Sequence, residues 1–402
     1  MVFLLIDQME HTRNADIKVI FGLTLIHFTG DFYSSFINPL LPVFADKFAL
    51  TLAQVGLITG VSRFLAFIVQ PSVGYLADRY RTRFFILGGP LLAMVFIPLV
   101  GIAPSFLVLL FVISLGSVGS AMFHPSVAGM VSSYAGGHFG FSMSIFNTGG
   151  TLAFGFGPLF ITYFVGVYGL GASPFTMIIG LPVMFLLFVI IPAPSGEGLR
   201  DLGFLRSIKE VLGSIWKSIV LIWVVMVLRA YVGVSFRTFI PVFYAREGFS
   251  LVAIGAVVSL FTVAGAVSGL LAGHLSDRIG YKPVFYCAHS LSMPCLLLLL
   301  YVQGEWVYVS AALAGFFTMA TLPLGVAMAQ ELAPRGKSMV SSLMMGLAFG
   351  TGGMMAPLTG KLADIFSIRG ILLFLAIIPS LTIFLIALLP EPRLKYRNSI
   401  HD

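Results

Sequence analysis

Six ionisable side chains lie deep inside long apolar stretches of this chain. They are His27, Asp31, Arg63, His124, Arg229 and Arg237. A charged group in a hydrocarbon environment is costly, so such residues usually pair with one another or serve a ligand or ion. Their types indicate two kinds of chemistry: reversible protonation of a carboxylate or an imidazole, and binding of an anion by guanidinium groups.

Asp31 is the only carboxylate deep in these stretches, and His27 precedes it by one helical turn, so both share a helix face. A carboxylate that exchanges partners in a buried site could load or release a proton. We therefore predict that Asp31, together with His27, couples proton movement or binds substrate. The alternatives are a fixed ion pair between Asp31 and Arg63, and a helix-packing hydrogen bond for His27.

Arg229 and Arg237 are roughly two helical turns apart and point broadly the same way. A guanidinium presents a planar fork that fits carboxylate or phosphonate oxygens. We predict that Arg229 and Arg237 bind an anionic substrate, with Arg63 as a further ligand. The alternative for Arg237 is that it only extends to the outer surface.

His124 precedes Pro125, and a proline within a helix leaves one backbone carbonyl without its donor. His124 is predicted to bind substrate; relay of protons and a hydrogen bond to that carbonyl are the alternatives. Asn147 is a candidate polar neighbour in the same site.

The elements that must position these residues are long apolar helices. Of the 402 residues, 58% are hydrophobic and 10% are charged, whereas soluble domains carry about 25% charged residues. Twelve apolar stretches are long enough to cross the bilayer, and they are continuous rather than alternating, which disfavours a barrel. They cover residues 18–45, 51–77, 84–103, 105–133, 139–165, 170–191, 218–245, 251–276, 283–302, 306–332, 338–363 and 368–389. The predicted fold is an all-α membrane protein with twelve transmembrane helices.

The chain is an internal repeat of two halves of about 200 residues each. The motif Gly-x-Leu-x-Asp-Arg occurs at residues 74–79 and again at 273–278, and Pro158 and Pro357 match at the same offset. We expect two pseudo-symmetric six-helix halves. The predicted boundaries are 1–191 for the N-terminal half, 192–217 for a cytoplasmic linker, and 218–402 for the C-terminal half.

Each copy of the motif is predicted to form a short cytoplasmic turn after the second helix of its half. Its aspartate can pair with an arginine, and such ion pairs could latch one arrangement of the protein and release another. The predicted cytoplasmic gate consists of Gly74, Asp78, Arg79, Asp277, Arg278 and Glu331.

The charge distribution predicts the orientation. Most Lys and Arg residues fall in loops on one side, which by the positive-inside rule places both termini and the linker in the cytoplasm of an inner-membrane protein. The net charge of +7 thus reflects the orientation of the protein in the membrane, and we expect no nucleic-acid partner.

The sequence does not support an enzyme. It has no phosphate-binding loop and no nucleophile at a defined spacing from a base. Cys287 and Cys295 are expected to fill space rather than bind metal. We expect no cofactor and no metal; the expected partners are a small-molecule substrate, protons and the lipid bilayer, with the protein as a monomer.

The repeated motif resembles the loop between helices 2 and 3 of the major facilitator superfamily, although Arg81 stands where that family usually has glycine. Further blocks resemble the fosmidomycin-resistance-type exporters within it. These are Met122-Phe123-His124-Pro125 and residues 52–59, 145–150, 157–159, 329–332 and 346–350. The resemblance implies alternating access, a cavity lined by helices 1, 4, 7 and 10, and proton-driven drug efflux. Ser126 departs from that family, which commonly has an acidic residue there.

We therefore predict a secondary active transporter that exports a small amphipathic or anionic compound in exchange for protons. One alternative is an importer of an organic anion or lipid-like substrate on the same scaffold. A non-transporting membrane sensor and a channel are further alternatives.

Overall fold

The computed structural model describes residues 15–80, 83–136, 138–193, 213–333, 340 and 343–390. These residues form helices joined by short connections, and no strand occurs among them. The first helices are α1 (Ile17–Ser34), α2 (Ile37–Phe48), α3 (Leu52–Tyr80), α4 (Arg83–Phe96), α5 (Phe106–Tyr134), α6 (Phe139–Tyr168) and α7 (Met177–Ile190). They are followed by α8 (Trp216–Arg246), α9 (Leu251–Ile279), α10 (Tyr281–Tyr301), α11 (Trp306–Met319), α12 (Leu322–Leu332), α13 (Phe349–Met354), α14 (Ala356–Phe366) and α15 (Ile368–Leu388).

Within the described residues, 10 segments are long and apolar enough to cross a membrane, and they coincide closely with ten of the predicted stretches. Many of their large apolar side chains point outward, including Leu107 at 77% and Phe384 at 75% exposure. Such a surface is stable only against lipid. The chain is therefore an integral, multi-pass membrane protein.

The first and eleventh predicted stretches are interrupted rather than continuous. The first is split into α1 and α2 at Ser35, whose hydroxyl donates to the Phe32 carbonyl at 2.7 Å. Hydroxyls that bond to nearby carbonyls often bend or end helices. The eleventh contains a π-helical segment, Leu343–Ala348, followed by α13 and α14.

The contacts divide the chain into two compact units. Unit 1 comprises the described residues within Met1–Phe44, Leu65–Arg200 and Ser250–Gly255, and unit 2 those within Ala45–Phe64, Asp201–Phe249 and Ala256–Asp402. Most of the predicted linker lies outside the described residues.

Unit 1 depends on close helix contacts through small residues. A Cβ on Gly89 would lie 2.7 Å from the Gly119 carbonyl oxygen, so α4 and α5 approach each other backbone to backbone. Small residues allow this approach where helices pack without a hydrophobic driving force. In unit 2, α8 packs against its neighbours through a fully buried core that includes Met226, Phe285 and Leu324.

The repeated motif is helical, which corrects the prediction of a turn. The first copy forms the end of α3 and the second the end of α9. The motif contains no residue that must leave the helix; the stop in the second copy comes at Gly280, whose φ of 90° favours glycine.

Candidate functional site

A carboxylate and two imidazoles form a buried cluster in unit 1. His27 Nε2 lies 3.1 Å from Asp31 Oδ2, as the helical spacing on α1 predicts. His124 Nε2, from α5, lies 3.2 Å from Asp31 Oδ1. The side chains of His27 and Asp31 are 10% and 3% exposed. The carboxylate is thus almost completely enclosed.

The second nitrogen of each ring faces a backbone carbonyl. His27 Nδ1 lies 2.9 Å from the Phe146 oxygen, and His124 Nδ1 lies 2.6 Å from the Ser120 oxygen. A carbonyl can only accept, so both Nδ1 atoms carry hydrogen. In a neutral ring Nε2 then has a lone pair, which would repel the carboxylate. Each Nε2–carboxylate contact is therefore favourable only when a proton is shared within it.

The contact between His124 and Asp31 has the distance of an ion pair but not the alignment of a hydrogen bond. Asp31 Oδ1 is buried without a hydrogen-bond donor in the described structure.

Packing fixes both rings. His27 stacks on Phe146 with centroids 4.2 Å apart, and His124 stacks on Phe123 at 4.1 Å. On α6, a Cβ at Gly150 would lie 2.6 Å from His27 Nε2 and 3.0 Å from Asp31 Oδ2. Glycine at this position makes room for the cluster.

The cluster decides between several sequence-based alternatives. Both Asp31 oxygens face imidazoles of unit 1. His124 bonds to Ser120 rather than to the Ala121 carbonyl, which is the one that Pro125 leaves without its helical donor. Asn147 follows the carbonyl that binds His27 but is itself exposed.

Two imidazoles and a carboxylate could also hold a divalent transition metal, since their ligand atoms lie within 4.8 Å of one another. The direct nitrogen–oxygen distances of 3.1 and 3.2 Å are those of groups that share protons.

Unit 2 contains a group of arginines on or near α8. Arg229 is 5% exposed; its Nη1 donates to the Thr318 carbonyl at 3.4 Å, and its Cζ lies 4.9 Å above the Phe349 ring. Arg237 Nε donates to the Gly233 carbonyl at 3.3 Å, and the charges of Arg63 and Arg229 act on it. Within the described residues neither Arg229 nor Arg237 makes an ion pair, so the group has an excess of positive charge.

The family of the chain follows from comparison with known proteins. The family model of the Major Facilitator Superfamily matches residues 23–302 and 248–401. The chain belongs to the major facilitator superfamily. It is therefore a transporter rather than an enzyme, as the sequence predicted.

Two curated relatives cover nearly the whole of this superfamily member. It is 28% identical to the fosmidomycin resistance protein of Escherichia coli (strain K12) over 90% of the chain and 91% of the relative. It is 27% identical to the uncharacterized MFS-type transporter YfnC of Bacillus subtilis (strain 168) over 98% of the chain and 97% of the relative. The predicted resemblance to fosmidomycin-resistance-type exporters is confirmed.

A solved structure confirms the fold. A bacterial homolog of the human lysosomal transporter Spinster, in an inward-facing and unoccupied conformation, matches with a TM-score of 0.75. The match covers 92% of this chain and 96% of that one at 17% sequence identity.

The predicted gate residues of this superfamily member are only partly described. Gly74, Asp78 and Arg79 lie in the last turns of α3, and their side chains are outside the described structure. Asp277 and Arg278 are exposed near the end of α9. Glu331 accepts a 2.8 Å hydrogen bond from the Tyr281 hydroxyl.

Sequence reasoning missed one buried histidine of the transporter. His289 on α10 is 3% exposed and lies 2.5 Å from the Thr382 hydroxyl. Like His27, it is an ionisable residue within a predicted apolar stretch, so the same criterion identifies it.

Proposed function

We propose that this transporter exports a small amphipathic or anionic compound in exchange for protons, by alternating access. The observation that carries the proposal is the position of Asp31 between two imidazole Nε2 atoms whose Nδ1 atoms are held by the backbone. A site of this kind changes charge by binding protons while its ring positions stay fixed.

The charge of the cluster follows from its proton count. With a carboxylate and two imidazolium rings, the net charge is positive by one; removal of one shared proton makes it neutral. His124 is the partner through which protons enter and leave, because its side chain is 32% exposed whereas that of Asp31 is 3% exposed. In this proposal His124 serves proton coupling rather than substrate binding.

The arginines of unit 2 are proposed to attract and bind an anionic group of the substrate. Arg63 and Arg237 are half-buried and can offer donors to that group. A cation in surroundings of low dielectric attracts anions strongly. Asn147 is proposed as an additional polar contact.

Export, rather than import, is supported by the relative that is named a resistance protein. An outward movement of the compound driven by inward proton movement would account for resistance. We further propose that Gly74, Asp78, Arg79, Asp277, Arg278 and Glu331 form a cytoplasmic gate. The protein is proposed to act as a monomer in the inner membrane with both termini in the cytoplasm.

A test uses proteoliposomes with a pH-sensitive dye inside and fosmidomycin added outside as the probe. In an exchanger, inward movement of the probe drives protons outward, so the lumen becomes alkaline. A proton symporter would acidify the lumen instead. The sign of the change therefore distinguishes exchange from import with protons, and the absence of any change would contradict proton coupling to this probe.

The matched variants are Asp31→Asn and Asp46→Asn. Both remove one negative charge, but Asp46 is exposed. Asp31→Asn is expected to abolish the alkalinisation while equilibrium exchange of labelled fosmidomycin continues. Equal proton movement in the two variants would remove Asp31 from the mechanism.

A further inference from the structure

A small cavity lies beside Arg229 inside unit 2, between α8, α10, α11 and α15. Its volume is about 10 Å³, which is the space that a single water molecule requires. Its polar lining consists of Arg229, His289, Ser292, Thr318 and Thr382, and the remaining lining is apolar. No carboxylate is among the lining residues.

Two of the lining side chains have donors without an acceptor. Arg229 Nε and Thr318 Oγ1 are both buried and make no hydrogen bond in the described structure. Arg229 is 5% exposed and Thr318 is 3% exposed. A buried donor without a partner is costly, which indicates that an acceptor occupies the space between these residues.

The other polar groups of the cavity already have partners. The Thr382 hydroxyl donates to the Pro379 carbonyl at 2.6 Å, so His289 Nδ1 must donate to Thr382. The Ser292 hydroxyl donates to the Ala288 carbonyl at 2.7 Å. Arg229 Nε and the Thr318 hydroxyl are therefore the lining donors that have no acceptor in the described structure.

The charge of Arg229 determines the kind of ligand. Among the described residues, its charge contacts the ring face of Phe349 and a carbonyl dipole, and both are weaker partners than an anion. Water would satisfy the two donors but would leave the buried charge uncompensated. The small volume of the cavity favours a monatomic anion over a phosphate, a sulfate or a carboxylate group.

We propose that this cavity binds a monatomic anion of the chloride class, held by Arg229 Nε and the Thr318 hydroxyl. The ion neutralises a buried arginine within unit 2, and the proposal does not depend on proton coupling or on the nature of the exported compound.

The test is thermal unfolding of the full chain in detergent, in sodium chloride, sodium gluconate or sodium sulfate at equal ionic strength. The unfolding midpoint is expected to rise with chloride concentration and then saturate, because a ligand of the folded state stabilises it by mass action. Gluconate and sulfate should have no such effect. A crystal grown in bromide should show an anomalous peak within hydrogen-bond distance of Arg229 Nε.

The informative variant is Thr318→Val, which removes the hydroxyl but keeps the carbonyl that binds Arg229 Nη1. It should weaken apparent chloride affinity about tenfold. Thr262→Val is the control, since the Thr262 hydroxyl bonds within its own helix to Val258 at 2.9 Å. Arg229→Lys, which keeps the charge but loses Nε, should weaken affinity as well.

The proposal is overturned if gluconate stabilises the protein as chloride does, or if both threonine variants respond alike. A bromide-soaked crystal with only water beside Arg229 would overturn it equally.

Discussion

The buried carboxylate of Asp31 contacts the partly exposed ring of His124, with Asp31 Oδ1 3.2 Å from His124 Nε2. The Asp31 side chain is 3% exposed and that of His124 is 32% exposed. His27 completes the cluster from the enclosed side. The two histidines thus have different access to solvent although they contact the same carboxylate, and this asymmetry makes their roles separable by mutation.

The first prediction concerns His124→Gln. Glutamine retains an amide donor toward Asp31 but cannot be protonated, so the cluster should lose one titrating group. The pH dependence of substrate-driven proton flux should become shallower. In a plot of the logarithm of the flux against pH, the steepest slope should fall from about 2 toward about 1. Initial rates in proteoliposomes between about pH 5 and 8, the range of histidine titration, provide the measurement.

His138→Gln is the control for this variant, because His138 lies at the start of α6, away from the cluster. An unchanged slope in His124→Gln would show that this ring takes no part in proton exchange.

The second prediction concerns Gly150→Ala. The added methyl carbon would fall 2.6 Å from His27 Nε2 and 3.0 Å from Asp31 Oδ2, so the cluster must shift. We expect a loss of about 1–3 kcal/mol in stability from overpacking, together with impaired proton-coupled flux. Thermal unfolding and the proteoliposome assay measure the two effects.

Gly129→Ala is its matched control. Nothing lies within 4 Å of a Cβ at this helical position, and alanine in a helix stabilises by up to about 1 kcal/mol relative to glycine. If both variants behaved alike, the close approach at Gly150 would have no functional meaning.

The third prediction concerns Arg237→Ala. Removal of this half-buried cation should raise the KM for fosmidomycin roughly tenfold, the loss of one charge-assisted hydrogen bond, with a smaller effect on the maximal rate. Arg369→Ala, which breaks an exposed 3.0 Å ion pair with Glu247, should leave the KM within about twofold. Equal effects of the two variants would contradict a specific anion contact.

The fourth prediction concerns Asp364, whose carboxylate accepts hydrogen bonds from the backbone amides of Leu52 and Ala53 at 2.8 and 3.0 Å. These residues start α3, and all three belong to unit 2. Asp364→Asn leaves a single acceptor oxygen and removes the negative charge at a helix N-terminus. The expected loss is about 1 kcal/mol in the free energy of unfolding.

Thermal unfolding of Asp364→Asn beside Asp46→Asn checks this prediction, since Asp46 undergoes the same chemical change at an exposed site. A lower midpoint in both variants would attribute the effect to net charge rather than to the helix start.

The transmembrane segments were predictable because apolar length alone determines them. The interruption at Ser35 and the π-helical segment at Leu343–Ala348 were not, because they depend on local hydrogen bonds that composition does not encode. The motif ending at Arg278 was predicted as a turn from its charges, but its residues continue the helix, which ends at Ile279.

The contact of His27 with Asp31 was predictable from their spacing on one helix. The addition of His124 was not, because it requires α5 to pack against α1 at one depth. The cavity at Arg229 likewise depends on four helices that are distant in sequence. Side-chain types thus identified the arginines and the carboxylate, while helix packing selected their partners.

The attachment of both rings to the main chain has a spectroscopic consequence. Because Nδ1 of His27 and of His124 each donates to a carbonyl, a proton can arrive or leave only at Nε2. In ¹⁵N-labelled protein, the Nδ1 resonances should keep the shift of a protonated ring nitrogen across the titration. The large change should occur at the Nε2 resonances, so that nitrogen NMR reads the occupancy of the site without any substrate.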